Sequence, residues 1–122
     1  VKIILGDETA KGVEEEFAII ELDKIAVKGK TEGVTIFTSL GRYEQLNQEM
    51  SYYPTCIQQH DKFLILYRQQ HWDLALKWLN DLRNEFNGVM ADYYVMMEKR
   101  IKVLRNEDLP SDWDGVYRAT TK

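Results

Sequence analysis

FAIIELDKIAVKGKTEGVTIFTSLG, residues 17–41, is the stretch of sequence that decides the fold class. β-branched and aromatic residues dominate three short runs in it, at residues 17–22, 24–28 and 34–38, and such residues favour strands. The connection between the last two runs, residues 29–33, has a glycine at each end. Because glycine tolerates the positive φ angles of a tight reversal, the sequence predicts an antiparallel β-hairpin.

Shorter elements are predicted on the N-terminal side of the hairpin. Residues 2–5 are apolar and β-branched, which predicts a short strand. The next residues, 7–11, predict a helical turn with Asp7 as its N-cap and Gly12 as its end.

The period of the apolar residues changes to that of a helix after Gly41. We expect one short amphipathic segment to be closed by Pro54, with Thr55 capping the next helix. The apolar positions fall on four stripes at helical spacing. They are Tyr43, Leu46 and Met50; His60, Phe63, Leu64 and Tyr67; Trp72, Ala75, Leu79, Leu82 and Phe86; and Met90, Tyr94, Met97, Ile101 and Leu104.

The chain ends in a turn-rich stretch, residues 109–117, with one large aromatic side chain, Trp113. We expect Trp113 to dock back onto the body, and residues 116–120 to form a short extended edge. The sequence therefore predicts an α+β fold, a small antiparallel sheet or hairpin followed by a helical C-terminal bundle. The predicted domains are residues 1–41 and 42–122.

Composition bounds the class of function. The chain has 122 residues, 44% of them hydrophobic and 30% charged, which is typical of a folded domain. Its formal charge is −4 with acids and bases interspersed, which argues against nucleic-acid binding. The single cysteine, Cys56, excludes an intramolecular disulfide and is expected to be a buried or half-buried thiol. No apolar run approaches the length of a membrane helix, so we expect a soluble piece.

Motifs of catalysis are scarce. The sequence contains no GxSxG, Walker, HExxH or dinucleotide-binding pattern. His60 and His71 are eleven positions apart, which on one helix would separate them by about 16 Å, too far to share a metal ion. Lys28, followed by Gly29, places an ammonium beside open backbone N–H groups, which suits a polyphosphate. By pattern alone, a solvated lysine at a turn is the more common reading.

The run ELDKIAVKGKTEGVTIF, residues 21–37, resembles the end of class III adenylate/guanylate cyclase domains, where a strand ending in "LD.v.VKGK" turns through a hairpin into a "..p..iy..lG" strand. Residues 2–9 resemble the "pIlvse.t" strand and turn of the same domains. The resemblance covers residues 1–41. It implies that Lys28 contacts the nucleoside triphosphate, whereas it assigns no firm contact to Lys30.

The resemblance also implies what the chain lacks. The family's paired metal-binding aspartates, its base-selecting residues and its transition-state Asn and Arg would all lie upstream of Val1. The chain alone is therefore expected to hold no Mg²⁺ or Mn²⁺ and to catalyse nothing. The parent would cyclise ATP, with GTP as the less favoured alternative, and release pyrophosphate; the choice between the two stays open because the base-selecting residues are not in this sequence. The resemblance also implies self-association as a cyclase dimer. It places this piece in the cytoplasmic portion of an inner-membrane parent, with membrane attachment only through the upstream part.

The tail resembles a stretch that follows the catalytic domain in bacterial cyclases with CHASE-type sensors, "Y....W..Al..f..l" finishing near "p.dWdGv...t.K". The matching residues are Tyr67, Trp72, Ala75, Leu76, Leu79, Leu82, Pro110, Asp112, Trp113, Asp114, Gly115, Val116 and Lys122. The spacing from Trp72 to Leu82 is also that of the second helix of a tetratricopeptide (TPR) unit, and it indicates one degenerate unit.

A second interpretation makes the chain an interaction or dimerisation module with TPR-like helices. It depends on the aromatic and Met-rich stripe of Tyr93, Tyr94, Met96 and Met97. Exposure of that stripe would favour docking, and burial would favour a scaffold.

Overall fold

The computed structural model describes residues 3–26, 32–49 and 52–118. This part of the chain forms five α-helices and a three-stranded sheet, so the predicted mixture of helices and strands is confirmed. The chain divides into two compact units. We call Lys2–Glu49 with Gly115–Lys122 the sheet unit, and Met50–Asp114 the helical unit. A functional boundary between residues 1–41 and 42–122 stays a prediction.

The sheet unit contains all three described strands. Its elements in chain order are α1 (Asp7–Val13), β1 (Phe17–Ala26), β2 (Val34–Arg42), α2 (Tyr43–Glu49) and β3 (Tyr117–Arg118). β1 and β2 pair antiparallel, which confirms the predicted hairpin strands. The sheet order is β2-β1-β3, and β3 pairs parallel to β1. The expected all-antiparallel sheet is therefore wrong at this strand, because the chain returns after a long connection in the direction of β1.

β1 is one strand where the sequence predicted two. Ala18, Ile20 and Leu22 are buried in alternation, as expected for a strand with one face toward a core. The pairing register with β2 shifts between Ala18 and Ile19 and again between Glu21 and Asp23. Such β-bulges absorb an extra residue without ending a strand, so Asp23 does not separate two elements.

The N-terminal residues partly follow the predicted pattern. The expected strand over residues 2–5 is reduced, within its described part, to a bridge between Leu5 and Phe37. The two residues exchange backbone N–H···O bonds of 2.7 and 2.9 Å. α1 has Gly6 at its N-cap and contains Gly12, so the expected cap at Asp7 and stop at Gly12 are both wrong. A glycine weakens a helix by only about 1 kcal/mol, which is not enough to end it.

The first helix of the helical unit is α3 (Tyr53–Arg68). It begins before Pro54, which lies in its first turn, where a missing backbone N–H costs nothing. Thr55 is therefore inside the helix, and the expected cap at Thr55 is wrong. The predicted apolar side is confirmed, since all four of its residues are buried: His60, Phe63, Leu64 and Tyr67.

α4 (Trp72–Leu82) is shorter than the predicted stripe, which extended to Phe86. Phe86 and Asn87 have φ angles of 57° and 54°, in the left-handed region, within a 3₁₀ turn over Phe86–Gly88. A side chain in that region is uncommon, and the helical spacing alone gave no sign of it. Phe86 nevertheless reaches the core and is buried.

α5 (Ala91–Leu104) follows the fourth stripe. The stripe residues Met90, Tyr94, Met97, Ile101 and Leu104 are all buried, as predicted. In the part of the chain that the structure describes, no helix has the length and apolar character needed to cross a membrane.

Trp113 docks onto the helical unit as the sequence predicted. Its ring centroid lies 5.6 Å from that of Tyr67 and 6.0 Å from that of Trp72. Gln70 Nε2 also donates a hydrogen bond of 2.7 Å to the carbonyl of Pro110. The stretch after α5 is thereby attached to the turn between α3 and α4.

Candidate functional site

Lys28, the residue to which the resemblance assigns a triphosphate contact, lies outside the described residues, as does Lys30. The structure describes the two strand ends that flank them. Ala26 ends β1, Val34 begins β2, and Ile25 pairs with Val34. We call residues 25–26 and 33–34 the hairpin end. The chain enters and leaves the segment that carries Lys28 through these adjacent strands.

A third segment meets the hairpin end. Ile25 pairs with Tyr117 and Ala26 with Arg118 in the parallel ladder of β1 and β3. On the other strand, a Cβ atom added to Gly33 would lie only 2.6 Å from Cγ2 of Val116. The sequence predicted an extended edge at residues 116–120 but not its partner, because nothing in a local pattern specifies a contact over so many residues.

Asp23 lies in the run that carries the resemblance, and the sequence reasoning gave it no role. It belongs to the "LD" of the run and follows the bulge in β1. Its side chain is 3% exposed, and its Oδ1 accepts a hydrogen bond of 2.9 Å from the backbone N–H of Lys24. A buried carboxylate needs such donors to offset the loss of hydration. Asp23 therefore helps to shape β1 just before the hairpin end.

The opposite end of the hairpin carries an arginine, Arg42, whose charge is already paired with an acid. Arg42 forms an ion pair of 2.7 Å with Glu16, and its guanidinium lies 4.6 Å from the centroid of the Phe17 ring. A shallow cleft of about 220 Å³ opens beside it, lined by Arg42, Glu44, Gln45 and Gln48. Because the arginine charge is compensated by Glu16 and a second acid lines the cleft, this end is poorly suited to a phosphate.

The helical unit contains one buried and one partly buried polar pair that the sequence reasoning did not find. Nδ1 of His60 and the hydroxyl of Tyr94 are joined by a hydrogen bond of 2.7 Å, and both side chains are fully buried. Sγ of Cys56 donates a hydrogen bond of 3.3 Å to Oε2 of Glu85. A signal was present in the sequence, because Cys56 and His60 are four residues apart and share one face of α3.

The protonation of these groups excludes a reactive thiol. Burial, together with the hydrogen bond to Glu85, raises the pKa of the Cys56 thiol to about 11. Burial also raises the pKa of Tyr94 well above its usual range. Because the thiolate is the nucleophilic form, the raised pKa keeps Cys56 in its less reactive thiol form at neutral pH. Its burial agrees with the buried or half-buried thiol that the sequence predicted.

The two histidines do not share a helix. His60 lies inside α3, whereas His71 is exposed and immediately precedes α4. Within residues 3–26, 32–49 and 52–118, no three His, Cys, Asp or Glu side chains are grouped so that they could hold a metal ion.

The stripe of Tyr93, Tyr94, Met96 and Met97 is mostly core. Tyr93, Tyr94 and Met97 are buried, and Met96 alone of the four is exposed, at 39%. The rings of Tyr93 and Tyr94 both pack against His60. By the criterion set from the sequence, this burial favours a scaffold over a docking surface.

Comparison with protein-family models, curated proteins and solved structures finds no match to the chain. Its function is therefore inferred from its residues and their geometry.

Proposed function

We propose that this chain is the C-terminal part of a class III nucleotidyl cyclase, whose intact form converts a nucleoside triphosphate, ATP as the first candidate and GTP as the second, to the 3′,5′-cyclic nucleotide and pyrophosphate. The observation that supports it is the run at residues 21–37 on a hairpin. β1 carries ELDKIA and β2 carries VTIF, so VKGK connects two paired strands. That is the position at which the resembling domains turn from one strand to the next.

Lys28 contacts the triphosphate in this proposal, and Lys30 makes no firm contact. An ammonium next to a polyphosphate gains a charge-assisted hydrogen bond, which is stronger than a bond between neutral groups. The same charge stabilises the negative charge that develops on the phosphates as the ribose hydroxyl attacks. The two lysines therefore form a natural pair of test and control positions.

The chain's own carboxylates take no part in metal binding in this proposal. Asp23, the acid closest in sequence to the VKGK segment on β1, is buried and accepts a backbone hydrogen bond. Mg²⁺ or Mn²⁺ would be held by residues upstream of Val1, and two such ions would supply Lewis-acid activation of the ribose hydroxyl and charge compensation on the phosphates. The chain by itself is accordingly inactive.

The helical unit acts as a TPR-like scaffold in this proposal. α3 and α4 form a helix pair joined at residues 69–71, and Ala75, Leu79 and Leu82 are the buried side of α4. The intact protein self-associates as a cyclase dimer in the cytoplasm, with any membrane attachment upstream. The rival function, a docking module, loses its main support because three residues of its aromatic and Met-rich stripe are buried.

An activity comparison tests the proposal. The purified chain is incubated with ATP or GTP and Mg²⁺ or Mn²⁺, in parallel with the longer protein encoded by the same reading frame. We expect cyclic nucleotide from the longer protein and none above a no-protein control from the chain. Product from the chain alone would contradict the proposal, and so would an upstream frame with no Asn and Arg on a predicted helix.

A further inference from the structure

The C-terminal segment, residues 115–118, contacts β1 and the residue that precedes β2. Its backbone pairs with Ile25 and Ala26 of β1. Its Val116 side chain, which is 8% exposed, lies against Gly33, the residue before β2. Gly115 has a φ angle of 79°, so the chain turns into this segment through a conformation that favours glycine.

We propose that the C-terminal segment is a positioning element that fixes the hairpin end, with Val116 and Gly33 as its positioning residues. The ladder of β1 and β2 pairs Ile25 with Val34, and the segment adds contacts on the other edge of β1 and beside Gly33 that hold these strand ends in place. Strand ends that are fixed before a ligand binds need no ordering on binding, which is the advantage of preorganisation. What the connection binds depends on the proposed function, whereas the contact itself does not.

Glycine at position 33 is required by packing. The φ angle of Gly33 lies outside the left-handed region, so alanine is compatible with the backbone there. An alanine Cβ would lie 2.6 Å from Cγ2 of Val116, closer than Cβ atoms approach in proteins, and 3.0 Å from Cγ1, which is a tight contact. Valine is stiff about χ1 and cannot easily turn these methyl groups away. Removal of both γ-carbons would leave Cβ of residue 116 at 3.4 Å, an ordinary contact.

A methyl-exchange series tests the contact in the chain as it stands. The variants are Gly33→Ala, Val116→Ala and the double variant, with Val34→Ala as the matched control, because Val34 is adjacent and 58% exposed. The readout is amide hydrogen exchange at Ile25, Ala26, Tyr117 and Arg118, measured by NMR.

We expect Gly33→Ala to accelerate exchange about tenfold at the hairpin end, an effect of the size that overpacking produces. The double variant should return to within about threefold of the wild type, while Val34→Ala and the amides of α3 to α5 remain unchanged. Unchanged exchange in Gly33→Ala would overturn the proposal. Additive acceleration in the double variant, or acceleration spread equally over both units, would also overturn it.

A disulfide provides a second measurement of the same contact. Gly33→Cys with Val116→Cys, in a Cys56→Ala background, places two thiols with a Cβ–Cβ distance of 3.4 Å, at the short end of the range for disulfides. We expect this pair to crosslink under mild oxidation, as seen by mass spectrometry of linked peptides. Val34→Cys with Val116→Cys is the control, because neighbouring strand residues point to opposite faces. Failure of the first pair, or equal crosslinking of both, would refute the contact.

The effect on ligand binding is measured in the intact enzyme. Gly33→Ala should raise the KM for the nucleotide about tenfold with little change in kcat, and Val116→Ala in the same molecule should restore it. If exchange responds but KM does not, the positioning role is refuted while the contact stands. If the intact wild-type protein forms no cyclic nucleotide, the proposed function fails, and the exchange and crosslinking results still decide whether the segment fixes the hairpin end.

Discussion

Tyr94→Phe is expected to destabilise the helical unit by removing one buried hydroxyl. That hydroxyl is hydrogen-bonded to Nδ1 of His60 at 2.7 Å, and both residues are 0% exposed. The substitution keeps the ring and its packing against Phe63 and Tyr93, so it isolates the polar contact. Water cannot replace the lost partner in a close-packed interior, and a buried group that loses its hydrogen bond costs about 1–3 kcal/mol.

The expected change in melting temperature follows from the size of the protein. For a chain of this length, 1 kcal/mol shifts the Tm by roughly 4 °C, so Tyr94→Phe should lower the Tm by about 4–12 °C. The assay is thermal unfolding followed by circular dichroism, with urea titration as an independent measurement of the free energy of unfolding.

Tyr52→Phe is the matched control for this prediction. The Tyr52 hydroxyl also donates a short hydrogen bond, of 2.8 Å to Oδ1 of Asn87, but the residue is 45% exposed. Water can satisfy Asn87 after the substitution, so the free energy of unfolding should change by less than about 0.5 kcal/mol. Equal destabilisation by the two substitutions, or a neutral Tyr94→Phe, would refute the reasoning that burial decides the cost.

Two further predictions concern the same unit. Leu79→Ala, at a fully buried position of α4, should lower the free energy of unfolding by about 2–5 kcal/mol in urea titrations. Leu74→Ala, on the same helix but 50% exposed, should lower it by less than about 1 kcal/mol. Similar losses in the two variants would contradict the assigned core. The raised pKa of Cys56 makes the native state lose stability as the pH rises from about 9 to about 11, because the unfolded thiol releases its proton first. Cys56→Ala should show a shallower loss over that range in urea titrations at several pH values, and identical slopes would contradict the assignment.

Local periodicity was sufficient to predict most of the elements. The alternation in residues 17–22 and the β-branched run at 34–38 specify strands whose pairing needs only a short connection, so β1 and β2 could be predicted together. The stripe from Met90 to Leu104 specifies α5 and its buried side because a helix repeats every 3.6 residues. These features depend on residues close in sequence.

The features that escaped prediction depend on distant residues or on backbone geometry. The parallel pairing of β3 with β1 joins Tyr117 to Ile25, and no short-range pattern encodes it. α4 ends at Leu82 although the apolar spacing continues to Phe86, and the left-handed backbone at Phe86 and Asn87 follows the end of the helix. The helix start expected at Thr55 was misplaced because proline is tolerated in the first turn of a helix, and the helix end expected at Gly12 was misplaced because one glycine weakens a helix without ending it.

The candidate site was predictable only in outline. The sequence located a hairpin and a lysine in its connection, and a resemblance supplied the role of that lysine. The contact of Val116 with Gly33 and the burial of Asp23 could be found only from the folded structure. The residues next to Val116, Gly33 and Asp23 in the sequence give no sign of these environments.

The central claim is tested most directly by the rate of cyclic nucleotide formation in the intact enzyme carrying Lys28→Ala, with Lys30→Ala as its control. A charge-assisted contact to a triphosphate contributes about 1.5–3 kcal/mol, so Lys28→Ala should lower the rate roughly 10- to 100-fold. Lys30→Ala should lower it less, and both variants should keep the melting temperature of the wild type. Full activity in both variants, or loss of activity in Lys28→Ala only through unfolding of the protein, would contradict the claim.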